Sequence, residues 1–289
     1  MIVQSFPYEG KADMSFLVKD TDLGPTLNAC QKLKADLGAT DVTCDGEIAR
    51  VSVVGRGMTT HEGIAAKMCA ALGEAGVNVK MITTSAINIS VVVDSADGET
   101  ALRAVHDAFG LANLPPVQPA PDTPVDLAAF GGTTMEGYSV QAVECDTDQA
   151  ELKVRGLVDK PGQAGTVLEA LAAAGVNLDV VLQNSCSSGI SVTLSRSEAD
   201  AAKAAIEAMS PSATTQPVEM SCDIAKVSLS GVGMRSHAGA ACRVFDVLAR
   251  AEINIRMIGT SEAELSVVVA EADADRAVGA LTAEFSADD

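Results

Sequence analysis

The spacing of apolar residues between residues 50 and 109 changes several times, and each spacing predicts one element. Short runs rich in Val, Ile and Thr that end at Gly or polar residues are typical of β-strands. Between them, Ile64, Met68 and Leu72 lie four residues apart, which is the spacing of an apolar helix face. The predicted elements are a strand at 50–55, a helix at 62–75, strands at 77–83 and 87–94, and a helix from Asp97 to Phe109.

The same pattern returns near the end of the chain. Residues 51–109 align with residues 227–285 without a gap, so that Val-Ser-Val-Val-Gly-Arg-Gly-Met lies over Val-Ser-Leu-Ser-Gly-Val-Gly-Met. The turns and the apolar spacing are both preserved. A repeat of this size indicates an array of one compact unit.

A second kind of unit also occurs twice. Residues 152–209 predict a strand, a helix, two strands and a helix, whereas residues 1–44 match only the later part of that order. The first strand and helix of that unit are therefore missing from residues 1–44, and the many prolines between residues 111 and 135 predict a linker. The predicted organisation is module 1 (1–46, partial), module 2 (47–110), the linker (111–135), module 3 (136–219) and module 4 (220–289).

The order strand, helix, strand, strand, helix predicts an α+β fold made of tandem ferredoxin-like βαββαβ domains. Such domains carry both helices on one face of an antiparallel sheet, and we expect the sheets to pair side by side. Modules 2 and 4 show no last strand after Phe109 or Phe285, so each is expected to borrow one from a neighbour. Asp41 to Cys44 is predicted as the closing strand of module 1, and Tyr138 to Cys145 as an extra strand before module 3.

Composition narrows the classes of partner. The formal net charge is −19 and the sequence pI is about 4.4. Nucleic acids and anionic membranes bind clusters of Lys and Arg, so this balance argues against both. The apolar fraction is 47% with no Trp and few Phe or Tyr, so the cores must be mainly aliphatic.

The sequence also predicts a cytoplasmic location. It contains no run of about 18 apolar residues that could span a bilayer. The first residues lack the basic and apolar regions of an export signal. The seven cysteines form no CxxC pair and have no adjacent His, which favours reduced thiols.

Two motifs resemble a known family. In modules 2 and 4, Gly-x-Gly-Met-x-[Thr/Ser]-His-x-Gly precedes [Val/Ile]-Asn-[Val/Ile]-x-Met-Ile-x-Thr-Ser, which resembles the second regulatory ACT domain of aspartate kinases. In module 3, Asp-Lys-Pro-Gly-Gln-Ala precedes Gly-Val-Asn-Leu-Asp-Val-Val-Leu-Gln-Asn, which resembles the first. The alternation is similar to aspartate kinases with four such domains. The resemblance implies an allosteric region that binds lysine and/or threonine for feedback control of amino-acid biosynthesis.

The catalytic domain of that family has no counterpart in this sequence. Phe130 to Thr134 (Phe-Gly-Gly-Thr-Thr) mimics part of its Lys-Phe-Gly-Gly-Thr-Ser signature, but Ala129 stands in place of the Lys. We therefore predict no catalytic residues and no cofactor, since ATP would bind the absent kinase domain. The expected partners are an amino-acid effector, an aspartate kinase catalytic domain or subunit, and a second copy of the chain, because open sheet edges favour a homodimer.

An amino-acid effector presents an ammonium, a carboxylate and one side chain, and module 3 offers a group for each. Asp159 can face the ammonium, and Gly162 allows close approach of the backbone. The amides of Gln163 and Ala164 at a helix start can hold the carboxylate, and Gln183 can supply a side-chain amide. Asp159 is also an ordinary turn residue, so a purely local role stays open.

The resemblance implies that the effector lies between paired domains. On that basis Asn254 and Ile255 of module 4 would face the Asp159 turn, while Gln4, Asn78 and Val79 hold the matching places in the N-terminal half. Thr260 and Ser261 match the family segment that sets effector sensitivity. Either Asn can instead satisfy only local backbone. We predict no metal site, because His61 and His237 have no second ligand at suitable spacing.

Two other classes of function remain open. The chain can be a free-standing amino-acid sensor that serves a different enzyme, or a dimerisation subunit that binds no effector. An intact enzyme has little support, because no nucleotide-binding motif is present.

Overall fold

One continuous antiparallel sheet organises the protein. The computed structural model describes residues 2–4, 14–55, 63–85, 87–113, 139–184, 189–209, 216–232, 239–260 and 264–286. The strands are β1 Ile2–Gln4, β2 Met14–Phe16, β3 Ile48–Val54, β4 Met81–Ser85, β5 Asn88–Asp94, β6 Ser139–Arg155, β7 Leu178–Asn184, β8 Gly189–Leu194, β9 Glu219–Val232, β10 Met257–Thr260 and β11 Glu264–Ala270. The helices are α1 Asp20–Leu37, α2 Ile64–Glu74, α3 Gly98–Ala108, α4 Gln163–Ala173, α5 Ala199–Glu207, α6 Gly239–Arg250 and α7 Ala274–Ser286.

The strand order is β2-β1-β10-β11-β9-β6-β8-β7-β4-β5-β3, with every described pair antiparallel. Modules 2, 3 and 4 each contribute strands with helices packed on one face, so the predicted α+β ferredoxin-like fold is confirmed. Most of the linker and the strand start at Tyr138 lie outside the described residues.

Two long strands are shared between modules 3 and 4. The first part of β6, Ser139 to Asp146, pairs with β9 and completes the sheet of module 4. Its last part pairs with β8 in module 3, after register shifts between Asp146 and Glu151 that let one strand serve two sheets. Module 4 therefore borrows its last strand, as predicted.

Module 2 differs from that prediction. Within the described residues, β3 pairs only with β5 and ends the sheet order. Residues 41–46 have no strand assignment, so the predicted closing strand at Asp41 to Cys44 is wrong. A strand needs a hydrogen-bonding neighbour, and the described residues provide none at that edge.

The sheets meet in two pairs. Between modules 2 and 3, β4 pairs with β7 through Met81, Ile82 and Thr83. Between modules 1 and 4, β1 pairs with β10, where Gln4 lies opposite Ile258. Module 2 therefore partners module 3, and module 1 partners module 4.

Helix packing closes the seam between modules 2 and 3. A Cβ built on Gly73 of α2 would lie 2.5 Å from the Cα of Gly162, just before α4. A Cβ built on Gly165 would lie 3.2 Å from the backbone N of Ala70. Only residues without large side chains fit at such contacts, so the two helices cross with their backbones almost touching.

In each sheet pair, the face that carries no helices packs against the same face of the other pair. Met81, Val180 and Leu182 of one pair form a cluster with Met257 and Val268 of the other. This second apolar layer joins the two pairs into one body. Among the described residues, no helix combines the length and apolar character needed to cross a bilayer.

Candidate functional site

A polar crevice lies where modules 2 and 3 meet, and we call it the Asp159 crevice. Asn78 and Val79 come from the loop between α2 and β4, while Asp159 and Gly162 come from the turn before α4. Gln183 reaches it from β7. The cavity between these residues has a volume of about 30 Å³. Residues from two modules therefore build one site.

Two amide side chains link the walls of the crevice. Asn78 Nδ2 donates to Asp159 Oδ1 at 2.8 Å, and Gln183 Nε2 donates to the carbonyl oxygen of Val79 at 3.3 Å. Gln183 Oε1 is buried and has no hydrogen-bond partner among the described residues. Buried polar atoms are nearly always paired, so this oxygen is an acceptor available to a donor in the crevice.

The start of α4 gives the site backbone amides and the positive end of a helix dipole. Gly162 has φ of +81°, a backbone conformation that favours glycine, and it directly precedes the helix. The amide of Gln163 donates to Lys160 O at 3.2 Å, so the amide of Ala164 is the better placed of the two for a carboxylate. Burial raises the pKa of the Cys69 thiol to about 12, so this residue lines the crevice as a neutral group.

A second crevice lies on the same seam, where α2 begins. It has a volume of about 40 Å³ and is lined by Gly63, Thr84, Ser85, Asn177 and Asp179, among others; we call it the Gly63 crevice. Gly63 has φ of +78° and precedes α2 as Gly162 precedes α4. Asn177 follows Gly-Val in module 3 as Asn78 follows Gly-Val in module 2. The two crevices are therefore related by the internal repeat.

The predicted partner of the Asp159 turn is wrong. Asn254 and Ile255 precede β10 in module 4, which pairs with β1 of module 1 and not with module 3. Asn78 and Val79 occupy the position facing Asp159. Both modules carry the same Asn between two β-branched residues, so either copy fits the sequence pattern. The choice depends on which sheet edges pair.

Gln4 is placed with the Asn254 group. Its backbone lies opposite Ile258, so modules 1 and 4 meet where the counterpart of the module 2–3 seam is expected. The Asp-Lys-Pro-Gly turn has no counterpart in module 1.

Thr260, another predicted site residue, lies on a larger cavity between the stacked sheets. This cavity, of about 640 Å³, is lined by Thr260 and by Thr84, Ser85 and Asp179 of the other sheet pair. The carboxylate of Asp179 forms an ion pair with the ammonium of Lys226 in module 4. Ser261 lies outside the described residues.

Thr84 has a structural role that the sequence did not reveal. Its hydroxyl donates to Asp179 O at 3.1 Å and accepts from the amide of Val181 at 2.8 Å. These bonds extend the seam beyond the last backbone pair of β4 and β7, which is Thr83 with Leu182. Thr84 belongs to the Met-Ile-x-Thr-Ser motif of module 2, but nothing in that motif indicates these two hydrogen bonds.

Glu151 is a second feature that was not predicted. It is 1% exposed on β6, and burial raises the pKa of its carboxyl to about 8 despite the ammonium of Lys153 at 3.4 Å. The same burial lowers the pKa of Lys153. Strand alternation places Glu151 on the face opposite Ala150, Leu152 and Val154, so the sequence pattern gave no sign that it would be buried.

The part of the chain that the structure describes contains no candidate metal-binding site. No group of three or more His, Cys, Asp or Glu side chains there could hold an ion. His61 and His237 lie outside the described residues.

Comparison with known proteins identifies the class of domain. A family model described as the ACT domain matches residues 51–109, 154–209 and 227–285, which together exceed half of the chain. The chain therefore belongs to the ACT-domain family. The three matches correspond to modules 2, 3 and 4.

The proteins to which the chain is similar in sequence and in structure include aspartate kinases. The aspartate kinase of Pseudomonas fluorescens is 38% identical over 158 residues, which cover 54% of this chain and 38% of that protein. The aspartokinase of Corynebacterium glutamicum is 35% identical over 169 residues, covering 57% and 38%. The crystal structure of aspartate kinase from Synechocystis has a TM-score of 0.86 and 29% identity, and the match covers 99% of this chain and 49% of that one. The chain thus spans less than half of each relative, and the matches support a regulatory role.

Proposed function

We propose that this chain is the amino-acid-binding regulatory portion of an aspartate kinase and that it binds lysine and/or threonine at the seam between modules 2 and 3. The observation that carries the proposal is the Asp159 crevice. Within one small cavity it combines a carboxylate, a helix start and the buried side-chain carbonyl oxygen of Gln183, for which the described residues offer no hydrogen-bond donor.

Each group of a free amino acid has a partner in this crevice. Asp159 binds the ammonium in a charge-assisted hydrogen bond, in the place where Asn78 now donates. The effector carboxylate lies at the start of α4, near the amide of Ala164. Gln183 Oε1 accepts from a second donor, either the ammonium or the polar end of the effector side chain.

Binding requires the seam to widen. A cavity of about 30 Å³ holds only about two water molecules, which is less than an amino acid needs. An effector therefore selects a packing of modules 2 and 3 in which the crevice is larger. The difference in its affinity for the two packings is the coupling energy, typically about 1–3 kcal/mol.

The repeat-related Gly63 crevice gives the seam a second place for an amino acid. Its volume is about 40 Å³, and it presents Asp179 and the hydroxyls of Thr84 and Ser85. Two crevices of different lining fit two effectors better than one. We therefore include joint binding of lysine and threonine in the proposal.

The proposal extends to the partners of the chain and to its location. We propose that an aspartate kinase catalytic domain or subunit receives the signal, that the chain forms a homodimer, and that it acts in the cytoplasm. The coverage of the relatives supports the first of these, since more than half of each relative lies outside the match.

Titration calorimetry and thermal shift with lysine and threonine test the proposal. Asp159→Ala should weaken binding about 10- to 100-fold, because a hydrogen bond to a charged group is worth about 1.5–3 kcal/mol. Asp107→Ala is the matched control. Its side chain is exposed on α3, and Asp107 is not among the residues that line the Asp159 crevice or the Gly63 crevice. Binding that is equal in the two variants would exclude the Asp159 crevice.

The same titrations separate the alternatives. A dimerisation subunit gives no heat and no thermal shift with either amino acid. A sensor for another enzyme binds an effector but leaves aspartate kinase activity unchanged when the two are mixed.

A further inference from the structure

Asp179 lies where the Gly63 crevice meets the larger cavity between the stacked sheets. It is among the residues that line both spaces. Its backbone carbonyl oxygen accepts a hydrogen bond from the hydroxyl of Thr84 at 3.1 Å, while its carboxylate forms an ion pair with the ammonium of Lys226. Thr84 belongs to module 2 and Lys226 to module 4. A single residue of module 3 therefore joins the seam to the other sheet pair.

The matching residue of the Asp159 crevice carries the opposite charge. In the repeat, Gly-Val-Asn-Val-Lys at 76–80 lies over Gly-Val-Asn-Leu-Asp at 175–179. The ammonium of Lys80 forms ion pairs with Asp45 at 2.8 Å and with Asp94, which lie beside β3. The loop of the Asp159 crevice is therefore tied to its own end of the sheet, whereas the loop of the Gly63 crevice is tied to module 4.

The ion pair between modules 3 and 4 is partly shielded from solvent. The side chains of Lys226 and Asp179 are 17% and 24% exposed. At such a site the interaction between charges is stronger than on the open surface. A positive ligand group beside Asp179 is therefore repelled by the ammonium of Lys226, unless that ammonium moves away.

Lys226 has a second carboxylate beside it. Asp146 on β6 lies directly opposite Lys226 on β9 in the strand register, and residues at such positions are within reach of each other. Both side chains line the cavity of about 640 Å³, which gives the ammonium room to turn. Lys226 can therefore leave Asp179 without becoming a buried charge that has no partner.

We infer that Lys226 regulates the Gly63 crevice: the ammonium of a bound amino acid competes with Lys226 for Asp179, and binding releases Lys226 towards Asp146. The inference rests on the proposed function, because it takes an amino acid as the ligand of this crevice. Since coupling between two sites is reciprocal, Lys226 lowers the affinity of the crevice as much as the ligand weakens the ion pair.

The two crevices then send different signals. Occupancy of the Gly63 crevice loosens the contact between module 3 and module 4. Occupancy of the Asp159 crevice replaces only the uncharged amide of Asn78, which donates to Asp159 at 2.8 Å. The stacking of the two sheet pairs therefore responds to one crevice more than to the other.

Titration calorimetry with lysine and with threonine tests the competition. Asp159→Ala disables the Asp159 crevice, so the binding that remains belongs to the Gly63 crevice. Adding Lys226→Met to this variant should raise the remaining affinity about ten-fold, because it removes a positive charge beside the ligand ammonium. Damage to the fold would instead lower the affinity. Lys203→Met is the matched control, since Lys203 is exposed on α5 and pairs with Glu207.

Cys145 reports where Lys226 lies, without any change to Lys226. It lines the same cavity, and burial together with the charge of Asp146 raises the pKa of its thiol. When Lys226 approaches Asp146, that pKa should fall and a thiol reagent should modify Cys145 faster. Lysine or threonine should therefore accelerate the modification in the Asp159→Ala variant, as located by mass spectrometry. Cys222, which is exposed on β9 and does not line the cavity, is the internal control.

The outcomes separate this inference from the proposed function. If an amino acid binds the Asp159→Ala variant and Lys226→Met leaves its affinity unchanged or lower, the inference is overturned and the proposed function stands. The same holds if Cys145 reacts at one rate with and without ligand, or if Asp159→Ala abolishes all binding. An absence of binding to the wild-type chain would overturn both.

Discussion

The close contact between α2 and the turn before α4 makes Gly73→Ala a sharp test of the seam. The new methyl group would lie 2.5 Å from Gly162 Cα and 3.0 Å from Gly162 N. Both atoms belong to the backbone, so no side chain can rotate away. Gly162 also has φ of +81° and lines the Asp159 crevice, so its displacement would distort the site.

Two effects of opposite sign determine how much Gly73→Ala changes the free energy of unfolding. Alanine in place of glycine within a helix contributes about 0.5–1 kcal/mol to stability. Overpacking a close contact usually costs about 1–3 kcal/mol. The backbone contact is far shorter than a normal van der Waals distance, so the cost should prevail and leave a net loss of about 1–2 kcal/mol. For a chain of this size that corresponds to a melting temperature lower by about 2–8 °C.

Gly279→Ala is the matched control. Gly279 lies inside α7, and a Cβ there would meet no atom within 4 Å. This variant should melt at or above the wild-type temperature, because only the helix effect remains. Scanning calorimetry and lysine or threonine titrations on both variants complete the assay. If Gly73→Ala is as stable as Gly279→Ala and binds effectors normally, the proposed contact does not exist in solution.

Two further variants test buried groups of the seam and sheet. The folded-state pKa of Glu151 is raised to about 8 from 4.5. The folded state therefore holds an extra proton between these pH values, and stability is lost as pH rises through them, by at most about 5 kcal/mol. Glu151→Gln should remove that loss, so urea unfolding should show its stability advantage over wild type growing from pH 5 to pH 8.5; an equal pH dependence in both proteins would contradict it. Thr84→Val should cost about 1–3 kcal/mol and lower effector affinity, because the amide of Val181 loses its partner. Thr26→Val, which removes an exposed hydroxyl on α1, should change urea unfolding little, and equal effects of the two would refute the role of Thr84.

Local patterns predicted the modules because they depend on short-range spacing. The helix around Ile64, Met68 and Leu72 and the strands on either side follow from alternation and from four-residue spacing, and the structure has them within a few residues. The strand predicted from residue 77 begins only at Met81, because 77–80 form the loop that carries Asn78. That loop is a wall of the Asp159 crevice.

Pairing between modules could not be predicted in the same way. Asn78 and Asn254 have nearly identical surroundings in sequence, so only the edge contacts β4–β7 and β1–β10 distinguish them. The prediction of a closing strand at Asp41 to Cys44 was wrong for a related reason. Its propensity is adequate, but strand formation depends on a neighbour that sequence alone does not place.

The seam between modules 2 and 3 is held by few directional bonds, and this suits a regulatory role. Three residue pairs of β4 and β7 lie in register, and the hydroxyl of Thr84 adds two bonds beyond them. The amides of Asn78 and Gln183 each donate one more bond across the seam. At about 0.5–1.5 kcal/mol for each hydrogen bond, the gain or loss of two or three is comparable to a typical allosteric coupling energy. The hydroxyl of Thr84 holds the carbonyl of Asp179, whose carboxylate pairs with Lys226 of module 4. A change of packing at the seam therefore reaches the second sheet pair through Asp179 and through the apolar layer of Met81, Val180 and Leu182, without any element having to unfold.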